Sequence, residues 1–323
     1  MKKAICIFLC LLLAVSVFAA CGKVSPEGKA QTPTVSDPEK PNVVATIFPI
    51  YDFCRVVAGD KVNLSLLLDS KTDLHSYSPT TDDILRISNA DLFFFVGGES
   101  DDWVEGVLAS AENEALQAIA LMETVDAAEE EALPGMQEEE EEPETDGPEL
   151  DEHIWTSLKN AQDMVNAIAE AFASVDADNA QVYRANAAAY NKQLAALETQ
   201  YAETIAGAKR KVLLFADRFP FRYLQRDYDL ECYAAFSGCS AETEASFDTL
   251  AMLVQTTKDK ALPYILMIEG SDSAVAQSVS AQTGAEIRVL NSCQSVSADD
   301  IKNGVTYLSV MESNLDVLKE VLN

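Results

Sequence analysis

Residues 179–208 read as one long helix, and on either side of it short strands alternate with shorter helices. Asp176 to Asn179 supply capping residues ahead of it. At ~1.5 Å per residue such a helix spans about 45 Å, enough to cross a whole domain. Before it, apolar runs at 43–50, 62–68 and 92–96 read as buried strands, with helices expected at 51–59, 80–90 and 101–111. A further helix begins at 156, with Ala161, Val165, Ile168, Ala169 and Phe172 on one face. After the long helix, strands are expected at 212–215, 231–236, 264–268 and 287–290. Helices are expected at 219–227, 246–257, 273–283 and 299–322. This alternation implies parallel sheets with crossover helices. The expected fold is α/β with two lobes, 42–178 and 209–323, each a mostly parallel sheet with flanking helices, joined by one rigid helix.

The first residues read as an address rather than as fold. Met1-Lys2-Lys3 is a basic start, followed by an apolar run from Ala4 to Ala20. The run ends Val17-Phe18-Ala19-Ala20-Cys21-Gly22, which resembles a bacterial lipobox. The expectation is a signal peptide over 1–20, lipidation at Cys21, and a Pro-rich tether over 21–41. That places the chain outside the cytoplasm, anchored in the cell membrane by its N-terminal lipid.

Charge narrows the partners. Against 23 Lys and Arg stand 53 Asp and Glu, a net charge of −30. A nucleic-acid partner is excluded, because such proteins need a basic footprint. The acidic field instead concentrates cations. Half of the excess sits in 123–152, where fifteen residues are acidic and none is Lys or Arg. The loop 126–152 within it reads as solvated and mostly disordered.

The chain has only two histidines, His75 and His153. His75 falls just after a strand's carboxyl end, in Asp73-Leu74-His75-Ser76-Tyr77-Ser78-Pro79. Ligands of open α/β sheets bind at such ends. His153 falls where the acidic loop meets the next helix, in Asp151-Glu152-His153-Ile154-Trp155.

With these residues the chain resembles the solute receptors of zinc and manganese ABC importers over 42–323. The matching pieces are Val44-Ala45-Thr46-Ile47-Phe48-Pro49-Ile50, His75 with Tyr77 and Pro79, Ala90-Asp91-Leu92, Gly97-Gly98-Glu99, and Asp151-Glu152-His153-Ile154-Trp155. The resemblance implies two lobes, a rigid linking helix, and a metal held between the lobes by His75 and His153. It implies a permease as partner and a receptor that acts as a monomer. For the third ligand, aligning backwards from Tyr228 reaches Arg218, which cannot bind a cation. A shift of one residue gives Asp217, whose competing role is the N-cap of the helix expected from Phe219. For the fourth, Asn291 offers a neutral carbonyl oxygen. Glu242, Glu244 and Cys293 are substitutes. Cys239 and Cys293, if both border the cleft, pair with each other instead, one of three pairings open to four mature cysteines.

Two imidazoles with one or two carboxylates suit Zn²⁺, whereas Mn²⁺ prefers more oxygen donors. Zinc is therefore the expected cargo and manganese the alternative. The sequence carries no HExxH, GxSxG, SxxK, P-loop or GxGxxG pattern, so an enzyme is not expected. An adhesive surface lipoprotein with a degenerate metal site is the competing reading.

Overall fold

A computed structural model describes residues 37–68, 73–137, 149–240, 244–294 and 296–323. The signal peptide, Cys21 and most of the tether lie outside them, as does Glu242. The first sheet is built from β1 (Asn42–Ala45), β2 (Asn63–Leu66), β3 (Leu92–Phe95) and β4 (Gln117–Ala120), with helices α1 (Phe48–Ala58), α2 (Thr81–Ser88) and α3 (Trp103–Ser110) between them. All pairings are parallel and the order is β2-β1-β3-β4. Helices α4 (Leu158–Val175) and α5 (Ala180–Ala206) follow.

The second sheet comprises β5 (Val212–Phe219), β6 (Glu231–Ser237), β7 (Tyr264–Met267) and β8 (Glu286–Val289). Its helices are α6 (Arg222–Tyr228), α7 (Phe247–Asp259), α8 (Ala274–Thr283), α9 (Ala298–Lys302) and α10 (Tyr307–Val321). It is again wholly parallel, in the order β6-β5-β7-β8. In each sheet the strand order reverses beside the first strand, which opens a crevice at the carboxyl ends.

The long helix α5 buries Tyr183, Ala187, Tyr190, Leu194, Leu197, Tyr201 and Ile205, three or four residues apart along one stripe. It packs against α4, α1 and α10. The largest apolar cluster runs without a break from Val43 through Trp155, Tyr190 and Tyr201 to Leu318. Polar ties cross the same seam. Tyr307 N–H donates to Asp52 Oδ2 at 2.9 Å, Tyr307 O–H to the Trp155 carbonyl at 2.7 Å, and Trp155 Nε1 to the Ser292 carbonyl at 2.7 Å. A shared dry core resists hinging, because opening it exposes apolar surface at about 25 cal/mol per Å².

Several local readings are corrected. β1 stops at Ala45 and α1 begins at Phe48, because Pro49 sits in the first helical turn, where its missing N–H costs nothing. Strand β4 is an addition. Gln-Ala-Ile-Ala lacks the β-branched run that marks a strand, and pairing with β3 overrides that. β5 continues to Phe219 through an irregularity between Phe215 and Arg218, and α6 starts only at Arg222. Asp217 therefore lies within a strand and caps no helix. The closing helix is split, with Gly304 at φ +90° between α9 and α10 and Thr306 capping the second piece.

The acidic loop's described ends are also ordered. Glu129 pairs with Leu150 in an antiparallel bridge. Arg222 meets Glu131 at 2.7 Å, and Arg226 donates to the Asp126 carbonyl at 2.7 Å. Gln137 N–H donates to the Ala235 carbonyl at 2.9 Å. Residues 126–137 are thus laid onto the second lobe, and residues 138–148 lie outside the described residues.

Candidate metal centre

His75 sits in a single 3₁₀ turn, Leu74–Ser76, after β2. The Asp73 side chain caps this turn by accepting the His75 N–H at 3.1 Å. Across the cleft, Arg218 Nη1 of β5 holds the other Asp73 oxygen at 2.8 Å. Burial pushes the Asp73 carboxyl up, but the Arg218 guanidinium together with His75 outweighs it and holds the group below the usual carboxylate range.

His153 begins a second 3₁₀ turn, Ile154–Thr156, and is fully buried. Asp151 Oδ1 accepts both its backbone N–H at 2.8 Å and its ring Nδ1–H at 3.2 Å. The Asp151 carbonyl is itself fixed by the Tyr223 hydroxyl, which donates at 2.7 Å. Burial opposes charge on His153, yet the surrounding carboxylates, Asp151 foremost with Glu152 and Glu130, together raise its pKa above the ordinary imidazole value.

The two rings meet. Their Nε2 atoms lie 3.3 Å apart. Nδ1 of His75 is 2.7 Å from the Ser100 hydroxyl and 3.5 Å from Glu152 Oε2. Carboxylates only accept, so Asp151 requires the proton of His153 on Nδ1, and Glu152 favours the same tautomer of His75. Both Nε2 lone pairs then face one point. Two nitrogens bound to one tetrahedral zinc at ~2.0–2.1 Å lie about 3.3–3.4 Å apart, so the observed spacing matches. Carboxylates behind metal-bound imidazoles are the usual means of fixing ring and tautomer.

The surrounding charge also calls for a cation. Asp151 and Glu152 are 2% and 3% exposed. Among the described residues their only ion-pair contacts are with the two histidines. Glu152 is pushed up by burial, but the adjacent His75 ring and the hydrogen bonding of Ser100 outweigh that and hold it low. Its Oε1 accepts the Ser100 N–H at 2.7 Å. It fits there because Gly98 has no side chain, since a Cβ would lie 2.6 Å from Oε1. Buried negative charge of this kind is stable when paired or metal-bound.

A third donor joins the pair from the second sheet. Cys239, just past β6, brings Sγ into a group in which the donor atoms of His75, His153 and Cys239 all lie within 4.8 Å of one another. Sequence reasoning considered Cys239 only as a disulfide partner. The signal was present: Gly238-Cys239 follows a strand's carboxyl end, the same placement that drew attention to His75.

The other candidates are placed differently. Asp217 Oδ1 accepts the Arg218 N–H at 2.9 Å and Oδ2 the Ile268 N–H at 3.3 Å, tying β5 to β7. Asn291 Oδ1 accepts the Cys293 N–H at 2.7 Å within its own loop. Cys293 is buried, with Sγ 3.8 Å from Met311 Sδ. Glu244 is exposed. The Cys239–Cys293 disulfide does not form: both thiols are free, one facing the histidines and the other the core.

Comparison with known proteins agrees with this geometry. The family model described as "ZnuA: Zinc-uptake complex component A periplasmic" matches residues 43–321. The zinc-binding lipoprotein AdcA of Streptococcus pneumoniae is 32% identical over 322 residues, covering 98% of this chain and 61% of that protein. The high-affinity zinc uptake system protein ZnuA of Bacillus subtilis is 32% identical over 320 residues, covering 97% of this chain and 95% of that protein. The crystal structure of the Zn(II)-bound ZnuA-like domain of S. pneumoniae AdcA superposes with a TM-score of 0.72 at 32% identity, covering 88% of this chain and 99% of that one. A match over nearly the whole described chain, with two facing imidazoles supplied by loops of the first lobe, places the protein in the ZnuA family of zinc-uptake components.

Proposed function

We propose that the chain captures Zn²⁺ between its two sheets and delivers it to an ABC importer. His75 and His153 are the ligands from the first lobe. The chain is held at the extracytoplasmic face of the membrane by lipid on Cys21 and acts as a monomer. Among the described residues no helix is long and apolar enough to cross a membrane. The observation that carries the reading is the 3.3 Å approach of the two Nε2 atoms, each with its Nδ1 engaged on the far side. The names of the relatives, a zinc-binding lipoprotein and a zinc uptake protein, support the same cargo.

Zinc is favoured over manganese because two nitrogens dominate the donor set. The receptor releases its ion unchanged and turns nothing over. The continuous core beneath the cleft confines any closure on the metal to small movements. Closure still requires that zinc bind one arrangement more tightly than the other.

Calorimetric titration of metal-free protein with Zn²⁺ tests this. One tight site is expected in the wild type. His75→Ala and His153→Ala should each weaken it by more than about 100-fold, since loss of an outer partner alone costs about 10–100-fold. Wild-type affinity in both variants overturns the proposal.

A further inference from the structure

The two histidines come from the first lobe, and the cleft has a second wall. In that wall Cys239 directs its sulfur at the imidazole pair. The approach is built into the chain at Gly238: a Cβ there would sit 2.7 Å from Cε1 and 3.1 Å from Nδ1 of His153. Only a residue without a side chain lets the β6 loop lie flat on the ring. Cys239 is a free thiol, half-buried. The remaining described cysteines, Cys54, Cys232 and Cys293, are buried elsewhere in the core. Among the described residues, Cys239 is the only member of the donor group that the second lobe supplies.

Resting on the zinc reading above, we infer that Cys239 is the third protein ligand, so that the cargo is held by a His₂Cys set spanning both lobes. On binding, the S–H bond breaks, the proton leaves to solvent, and a sulfur–metal bond forms. The ion is then the covalent-like contact between the lobes, with two bonds on one side and one on the other. A fourth position is left for water or another donor, as tetrahedral zinc requires.

The thiolate changes the selectivity of the site. Soft sulfur favours zinc and its heavier congener cadmium, while Mn²⁺ gains little from it. Discrimination against manganese therefore resides in Cys239 as well as in the imidazoles. Asp217 and Asn291 need not ligate, which agrees with the engagement of their oxygens by backbone N–H groups.

The test uses the whole mature chain, stripped of metal and titrated with Co²⁺. One equivalent should produce a tetrahedral visible spectrum together with a near-ultraviolet sulfur-to-cobalt charge-transfer band. Cys239→Ser should bind Co²⁺ at least about tenfold more weakly and lose that band, and it should lose much of the preference for Zn²⁺ over Mn²⁺. X-ray absorption of the wild type loaded with Zn²⁺ needs no variant, and one sulfur at ~2.3 Å is expected. Tight binding without the band, a band that persists in Cys239→Ser, or a shell of nitrogen and oxygen alone overturns the inference and leaves the zinc reading standing. A wild type that binds neither ion overturns both.

Discussion

Arg218, on the second sheet, donates to Asp73 at 2.8 Å, and Asp73 in turn caps the turn that carries His75. One lobe thus steadies a histidine of the other without touching it. Arg218 fills the position where the family resemblance called for a ligand. It contributes instead through the carboxylate that fixes the backbone of His75.

Arg218→Ala should therefore lower zinc affinity about 10-fold, as loss of an outer partner does. Both partners are a quarter to a third exposed, at 25% and 34%. Stability should accordingly change by less than about 1 kcal/mol. Zinc competition with a chelating dye and a thermal melt separate the two effects.

Asp151→Asn keeps an acceptor for Nδ1 of His153 but removes the buried charge that supports the ring. Zinc affinity should fall about 10–100-fold with the fold preserved by circular dichroism. Unchanged affinity would show that Asp151 serves only the local turn.

Gly238→Ala tests the fit of the β6 loop against His153. The added methyl meets the ring at 2.7 Å, so either the ring or the loop must move. A destabilisation of about 1–3 kcal/mol is expected, together with weaker zinc binding. A thermal melt of the metal-free protein and a zinc titration read both effects.

Asp101 provides a pH signature. Burial pushes its carboxyl up to about 6, while Oδ2 accepts the Gly97 N–H at 2.9 Å. Because its folded value exceeds the unfolded one of 3.8, the folded state binds the extra proton between these values. Its contribution to stability therefore falls as pH rises through that window. Asp101→Asn should gain on the wild type by about 1–3 kcal/mol between pH 4 and 7 in urea unfolding of the metal-free protein. A pH-independent difference contradicts this.

The acidic segment divides into two parts with separable outcomes. Deleting 138–148 should leave tight zinc binding nearly unchanged. Deleting 129–149 also removes the Glu129–Leu150 bridge and the Arg222–Glu131 pair, so it should weaken folding of the metal-free chain as well. Titration and melting of both deletions distinguish them.

Much of this was legible in the sequence where periodicity or end-of-strand placement carried it. The long helix was expected at 179–208 and runs Ala180–Ala206, because its buried positions recur every three or four residues. Both histidines were placed beside loops, His75 after a strand's carboxyl end and His153 after the acidic loop, and the fold of the first lobe brings them together. What escaped depends on contacts between distant segments. β4 is held by its neighbour rather than by its own residues. The polar pair Asp217-Arg218 looked like a loop, yet backbone N–H groups satisfy the carboxylate inside a strand. The ends of the acidic loop looked solvated until Arg222 and Arg226, a hundred residues away in sequence, were seen to bind them. Cys239 shared the end-of-strand placement of His75 but no periodic signal; its proximity to the histidines arises from the packing of one lobe on the other.

The most direct test is a crystal structure of the zinc-loaded protein with anomalous data at the zinc edge. One peak is predicted between the two rings, about 2.0–2.1 Å from Nε2 of His75 and of His153. A zinc peak bound elsewhere, or rings that part without sharing the ion, contradicts the account.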